Sequence, residues 1–350
     1  MGFARWFSAA GVALALTVST AAHAGPYSAL YVFGDSLSDN GNLAEAFYRR
    51  NFPNPPSYHD SFTNGPVAAE VLAGRLGLSL TPSLFLTGFQ DAFGLFGGLS
   101  YVAGTNYAVA GATAAAAPTF GGIPSANLPQ QVAAYFTNAS SHGIADPNAL
   151  YFVLSGGNDV RQAALNNLGT TGITAGVSNE VSAIQLLINE GARSVLVVNV
   201  PNVGVIPEFA QDHPTQAAAA TSLSQQFDAS LASGLSGLTR PTGTIVNLFD
   251  LYAFNSAVIT NAASYGITDT VDRCFTNTPL TPLATSACGV NGANIGTYFY
   301  WDAIHPTGKV QALAGNALAA ALGVPEPSTT LLLGAGVIAL VYRGRRRKAA

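Results

Sequence analysis

The chain has 350 residues, of which 49% are hydrophobic and 9% charged, and a formal net charge of −4. That length and apolar content exclude a disordered chain and allow one sizeable core. Of 14 Lys and Arg, six lie at the two ends, and of 18 Asp and Glu, one; 8 basic residues then face 17 acidic ones between residues 25 and 323. A surface of that sign repels phosphate backbones, which argues against nucleic-acid binding.

Residues 1–24 read as a secretory signal peptide: Arg5, an apolar stretch from Ala9 to Val18, and Ala22-His23-Ala24 before Gly25. Leu30-Tyr31-Val32-Phe33, closed by Gly34, predicts a buried first strand with Ser36 just past its C-terminal end. A helix is expected over Ala44–Arg50, a loop over Asn51–Pro66 and a second helix over Pro66–Leu76. Thr81–Val102 is an apolar, aromatic insertion that suits either core packing or a flap lining a greasy pocket. Asn106–Ala112 is a second strand-like run ending in small residues, followed by a helix over Gln130–Ala139. Ala149–Leu154 predicts a third strand, with Ser155-Gly156-Gly157-Asn158-Asp159 after it. An amphipathic helix over Val177–Glu190 stops at Gly191, and Ser194–Val200 is a fourth strand. Thr215–Leu235 is helical, Thr244–Phe249 a fifth strand, Leu251–Ala263 helical and Pro306–Leu322 a closing helix.

Strands alternating with helical patterns indicate one domain over residues 25–323, a three-layer α/β/α sandwich around a mostly parallel five-stranded sheet. Cys274 and Cys288 are the only cysteines, and in an exported chain such a pair reads as a disulfide. No Cys-x-x-Cys or His-Glu-x-x-His occurs, so a metal site has no sequence support. His59, His142 and His213 lie in polar segments and read as surface residues.

At the C-terminus, Pro325-Glu326-Pro327, an apolar run from Leu331 to Tyr342 and an Arg-rich tail follow one another. This order resembles the PEP-CTERM sorting signal of Gram-negative bacteria. The resemblance implies transient membrane anchoring over residues 324–350, processing by an exosortase-type enzyme, and delivery to the envelope, surface or exterior. A plain anchor that is never cut is the alternative.

Candidate chemistry sits where strands end. Ser36 follows the first, Asn158 the third, and Asp302 and His305 share the segment before the last helix. A hydroxyl at the C-terminal edge of an open α/β sheet becomes a nucleophile when a base is in reach. Four blocks, Gly34–Asp39, Gly104–Ala112, Gly156–Asp159 and Asp302–Pro306, together resemble the GDSL esterases/lipases of the SGNH hydrolase superfamily, which share a flavodoxin-like sheet. The resemblance implies Ser36 as nucleophile, His305 as acid/base, Asp302 as its orienting carboxylate, and an oxyanion hole from Ser36, Gly111 and Asn158. It implies no cofactor. Asp35 and Asp159 read as loop-holding carboxylates. The expected substrate is a lipid or short acyl ester; the alternatives are ester removal from a surface polysaccharide, or a non-catalytic matrix protein on the same fold.

Overall fold

Branched and aromatic residues build four parallel strands, β1 (Leu30–Gly34), β4 (Leu150–Leu154), β5 (Ser194–Val198) and β6 (Ile245–Phe249), paired in that order. Leu30 stands beside Leu150, which stands beside Ser194, which stands beside Ile245. The computed structural model describes residues 26–46, 57–86, 99–101, 104–115, 127–137, 144–276, 287–288 and 293–325. The expected signal peptide, most of the Thr81–Val102 insertion, His142 and the C-terminal signal lie outside those residues. Between β1 and β4 in sequence come α1 (Asn42–Ala46), α2 (Ala68–Leu76), the antiparallel pair β2 (Leu84–Leu86) and β3 (Leu99–Tyr101), and α3 (Leu128–Thr137).

The sheet's period of two sorts its side chains into two cores. Tyr31, Phe33, Tyr151, Val153, Val195 and Val197 face one side. There they pack on α3, α4 (Gly157–Leu165), α5 (Thr171–Asn189) and α6 (Ala217–Ser236). Leu30, Val32, Phe152, Leu154, Leu196 and Val198 face the other, with α2 and α8 (Gly308–Ala321). The result is the expected three-layer α/β/α sandwich.

Among the described residues the sheet has four regular strands rather than five. The run at Asn106 joins only by a single parallel bridge to Val32, fastened by Val32 N to Thr105 O (2.9 Å) and Tyr107 N to Val32 O (2.7 Å). Beyond the bridge only Val109 N to Gly34 O (3.2 Å) continues the pairing, because Gly34 N donates to Gln131 Oε1 instead; next to it Asn106 spends its side chain on the loop after β1. Its Nδ2 donates to Ser38 O and Asn40 Oδ1, each at 2.7 Å. Beside β1 the strand order therefore reverses, since the Asn106 run lies on one side and β4 on the other. Such a switch point opens a crevice at the C-terminal strand ends.

After β6, α7 (Leu251–Thr260) leads to β7 (Asp269–Arg273), which pairs in parallel with β8 (Tyr298–Tyr300). This two-stranded sheet delivers the Asp302–His305 loop. Cys274 and Cys288 are joined as a disulfide and pack with Phe62, Val109, Phe275 and Trp301 under that loop.

Candidate active site

Ser36 enters the site because β1 ends at Gly34 and the chain turns at once. Ser38 N and Asp39 N both donate to Asp35 O at 3.0 Å. The Gly34 peptide is gripped from α3, where Gln131 Oε1 accepts from Gly34 N and Gln131 Nε2 donates to Gly34 O, both at 2.8 Å. Ser36 is thus carried on a backbone fixed on either side.

His305 Nε2 stands 2.7 Å from Ser36 Oγ. Its Nδ1 lies 2.9 Å from Asp302 Oδ2 and 3.0 Å from Oδ1. Asp302 Oδ1 also accepts the backbone N–H groups of Ile304 (2.8 Å) and His305 (2.7 Å). All three side chains are buried, with Ser36 the most open at 8%. Burial pushes the Asp302 carboxyl up, but the adjacent His305 and these hydrogen bonds outweigh it and hold the group below the usual carboxylate range. The His305 ring packs on Phe62, centroids 5.0 Å apart. Packing, hydrogen bonds and the short loop fix the imidazole between an acceptor and a hydroxyl.

Asn158 is the second residue of α4, whose N-cap Gly156 has φ +97°. Asn158 Nδ2 donates to Ala112 O at 2.9 Å and has a second amide hydrogen to offer. Ser36 and Asn158 line one cleft. Gly111 is not among that cleft's lining residues, but it sits in a turn with φ +81°, between two anchored neighbours. On one side Ala110 N donates to Asp39 Oδ2 at 2.8 Å; on the other, Ala112 O takes the Asn158 amide.

Asp39 accepts four backbone N–H groups, from Gly41, Asn42, Leu43 and Ala110. Burial pushes it up to about 6 against those donors. Asp159 accepts Ala114 N (2.8 Å) and Ala115 N (2.9 Å), and burial likewise pushes it up to about 6. Asp35 accepts Leu37 N at 3.0 Å and is pushed up to about 7 by burial. These carboxylates lock the loops. His59 is exposed and stacks on Tyr58, while His213 is partly buried beside Phe209. Neither joins the site.

Sequence reading missed Gln131, and also Arg161, which lines the cleft and pairs bidentately with Glu208, both contacts at 2.5 Å. Neither partner carries a local signature; each pairing spans tens of residues. The cleft encloses about 1020 Å³ of space continuous with solvent, and its walls are mostly apolar. Among the described residues no helix is long and apolar enough to cross a membrane; Leu331–Tyr342, expected as the anchor, lies outside them.

The model of the GDSL-like lipase/acylhydrolase family matches residues 30–318, and that of the PEP-CTERM protein-sorting motif matches residues 323–347. Lipase 1 of Photorhabdus luminescens is 34% identical over 56% of this chain and 26% of its own length. Esterase EstA of Pseudomonas aeruginosa is 29% identical over 91% of this chain and 50% of its own. The chain thus spans half or less of either relative. A crystal structure of a lipolytic G-D-S-L family member from Veillonella parvula aligns over 83% of this chain and 94% of its own, at 13% identity and a TM-score of 0.37.

Proposed function

As the chain belongs to the GDSL-like lipase/acylhydrolase family, we propose that it is an exported serine ester hydrolase that works through an acyl-enzyme on Ser36. The observation that carries this reading is the line of hydrogen bonds from Ser36 Oγ through His305 to Asp302.

His305 Nε2 takes the Ser36 proton as Oγ attacks the ester carbonyl. Asp302 on Nδ1 keeps the lone pair of Nε2 facing the serine and stabilises the imidazolium that forms. The oxyanion is met by the N–H groups of Ser36 and Gly111 and the Asn158 amide, dipoles already fixed before the reaction. His305 then protonates the leaving alcohol. Water repeats the sequence to free Ser36 and the acid.

The sorting motif supports export and passage through an exosortase-type enzyme, with residues 1–24 removed first and residues 324–350 as a transient anchor. A polysaccharide ester remains the second substrate class, favoured by delivery to the surface. The test is turnover of p-nitrophenyl esters from acetyl to palmitoyl by the purified protein and by Ser36→Ala. The expected result is hydrolysis that falls at least ~10³-fold in the variant. Equal turnover by both proteins would remove Ser36 from the reaction, and a folded wild type inert on the whole series would favour the polysaccharide ester or the non-catalytic reading.

A further inference from the structure

We propose that the cleft beside Ser36 continues between α7 and α8 as the binding site for a medium-length acyl chain, with Ala314 and Leu318 setting its length. This rests on the reading of Ser36 above and adds the substrate class.

Val310, Ala314 and Leu318 line the cleft from one face of α8. At the helical rise their stripe is ~12 Å long. The helix begins at Gly308, three residues beyond His305, so the stripe leads away from the serine and its base. Leu251 and Ile259 of α7 line the same space, as do Leu154 and Val198, the last residues of β4 and β5.

A hydrocarbon fits these walls better than a charged or sugar group. Among the described lining residues the one cation, Arg161, is already engaged by both oxygens of Glu208; Asn202, Asn255, Ser256 and Gln311 also line the cleft, but most of its surface is apolar. Each methylene moved from water into an apolar wall strengthens binding roughly fourfold. A chain of single bonds extends ~1.2 Å per bond, so the stripe accommodates about eight to ten carbons. The site differs from the Thr81–Val102 insertion, the aromatic stretch that suggested a lipid pocket in the sequence.

The test compares octanoate with acetate p-nitrophenyl esters in the wild type, Ala314→Leu and Leu318→Ala. Leucine at 314 fills the channel, and the octanoate-to-acetate ratio is expected to fall about tenfold. Alanine at 318 deepens it, and the preferred chain lengthens to decanoate or beyond. Calorimetric titration of Ser36→Ala with free octanoate adds a readout that needs no turnover; binding is expected, and is expected to weaken when Ala314→Leu is added. An Ala314→Leu protein that keeps the wild-type ratio would overturn the proposal. Should that variant lose turnover of both esters, an unaltered chain preference in Leu318→Ala would overturn it instead. A wild type inert on every ester that still binds octanoate would leave the cleft standing and count against acyl-ester turnover alone.

Discussion

His305 is held at both ring nitrogens, on Asp302 at 2.9 Å and Ser36 at 2.7 Å, so its orientation is set before any ester arrives. Asn158 is similarly prepared, because one amide hydrogen already spans to Ala112 O. Under the proposed mechanism, removing that amide takes away an oxyanion donor together with its hydrogen bond to Ala112 O, next to the Gly111 turn. Asn158→Ala is expected to lower kcat by about 10²–10³-fold with little change in KM, since the lost contact forms in the transition state. Steady-state kinetics on a short ester decides it, and a rise in KM alone would contradict the assignment. At this scale much was legible. Ser36, Asn158, Asp302 and His305 stand in short polar blocks after apolar runs, and it is the resemblance of those blocks, taken together, to the GDSL family that singles them out. Gln131 was not legible, because it meets Gly34 across 97 residues of sequence and lies in an ordinary amphipathic helix.

At the scale of elements, the turn from β4 into α4 aims Asn158, and Gly156 makes that turn possible. Its φ is +97°, and a Cβ there would lie 2.2 Å from the Phe227 ring, which is itself fully buried. Gly156→Ala must therefore shift α4, α6 or both. The expected cost is about 2 kcal/mol or more from strain and overpacking together, accompanied by a loss of kcat as Asn158 moves. Urea unfolding beside ester kinetics measures both; wild-type stability in the variant would refute the packing argument.

The helix α4 itself escaped the sequence reading, since Gly157, Asn158 and Asp159 open it with poor formers. α5 also begins at Thr171, six residues before the expected Val177. Its early glycines look like breakers in sequence. In the fold they allow close approach, because a Cβ at Gly172 would sit 2.6 Å from Ala163 and one at Gly176 2.7 Å from an Asp159 oxygen. Tertiary packing overrides propensity at both places. The β7–β8 pair escaped for a different reason: β7 is polar, β8 is only three residues long, and their partnership spans a long loop.

Across the whole molecule, buried carboxylates tie stability to pH. Asp228 on α6 accepts Val200 N at 3.0 Å, and burial pushes its carboxyl up to about 8 against that hydrogen bond, with the charge of Asp250 adding to the rise. Between the unfolded value near 4 and about 8, the folded chain keeps a proton that the unfolded chain releases. Stability due to this group therefore falls as pH rises through that window. Asp228→Asn keeps an acceptor for Val200 and cannot ionise. Its gain over the wild type is expected to be roughly 3–4 kcal/mol larger at pH 9 than at pH 5, read by thermal melts at the two values. An equal difference at both would contradict the linkage.

The layered architecture was readable from alternating apolar runs. The reduction of the second strand to one bridge was not, because the Gly34 N–H that would extend the ladder is taken by Gln131, 97 residues away in sequence. Ser36 is delivered into the cleft at the C-terminal ends of the strands, beside Leu154 and Val198. The most direct measurement of its role is peptide mass mapping after treatment with a fluorophosphonate, which captures an activated serine. One adduct is expected, on the peptide bearing Ser36, with ester hydrolysis lost in proportion to labelling. An adduct on another serine, or full hydrolysis by a protein labelled at Ser36, would contradict it.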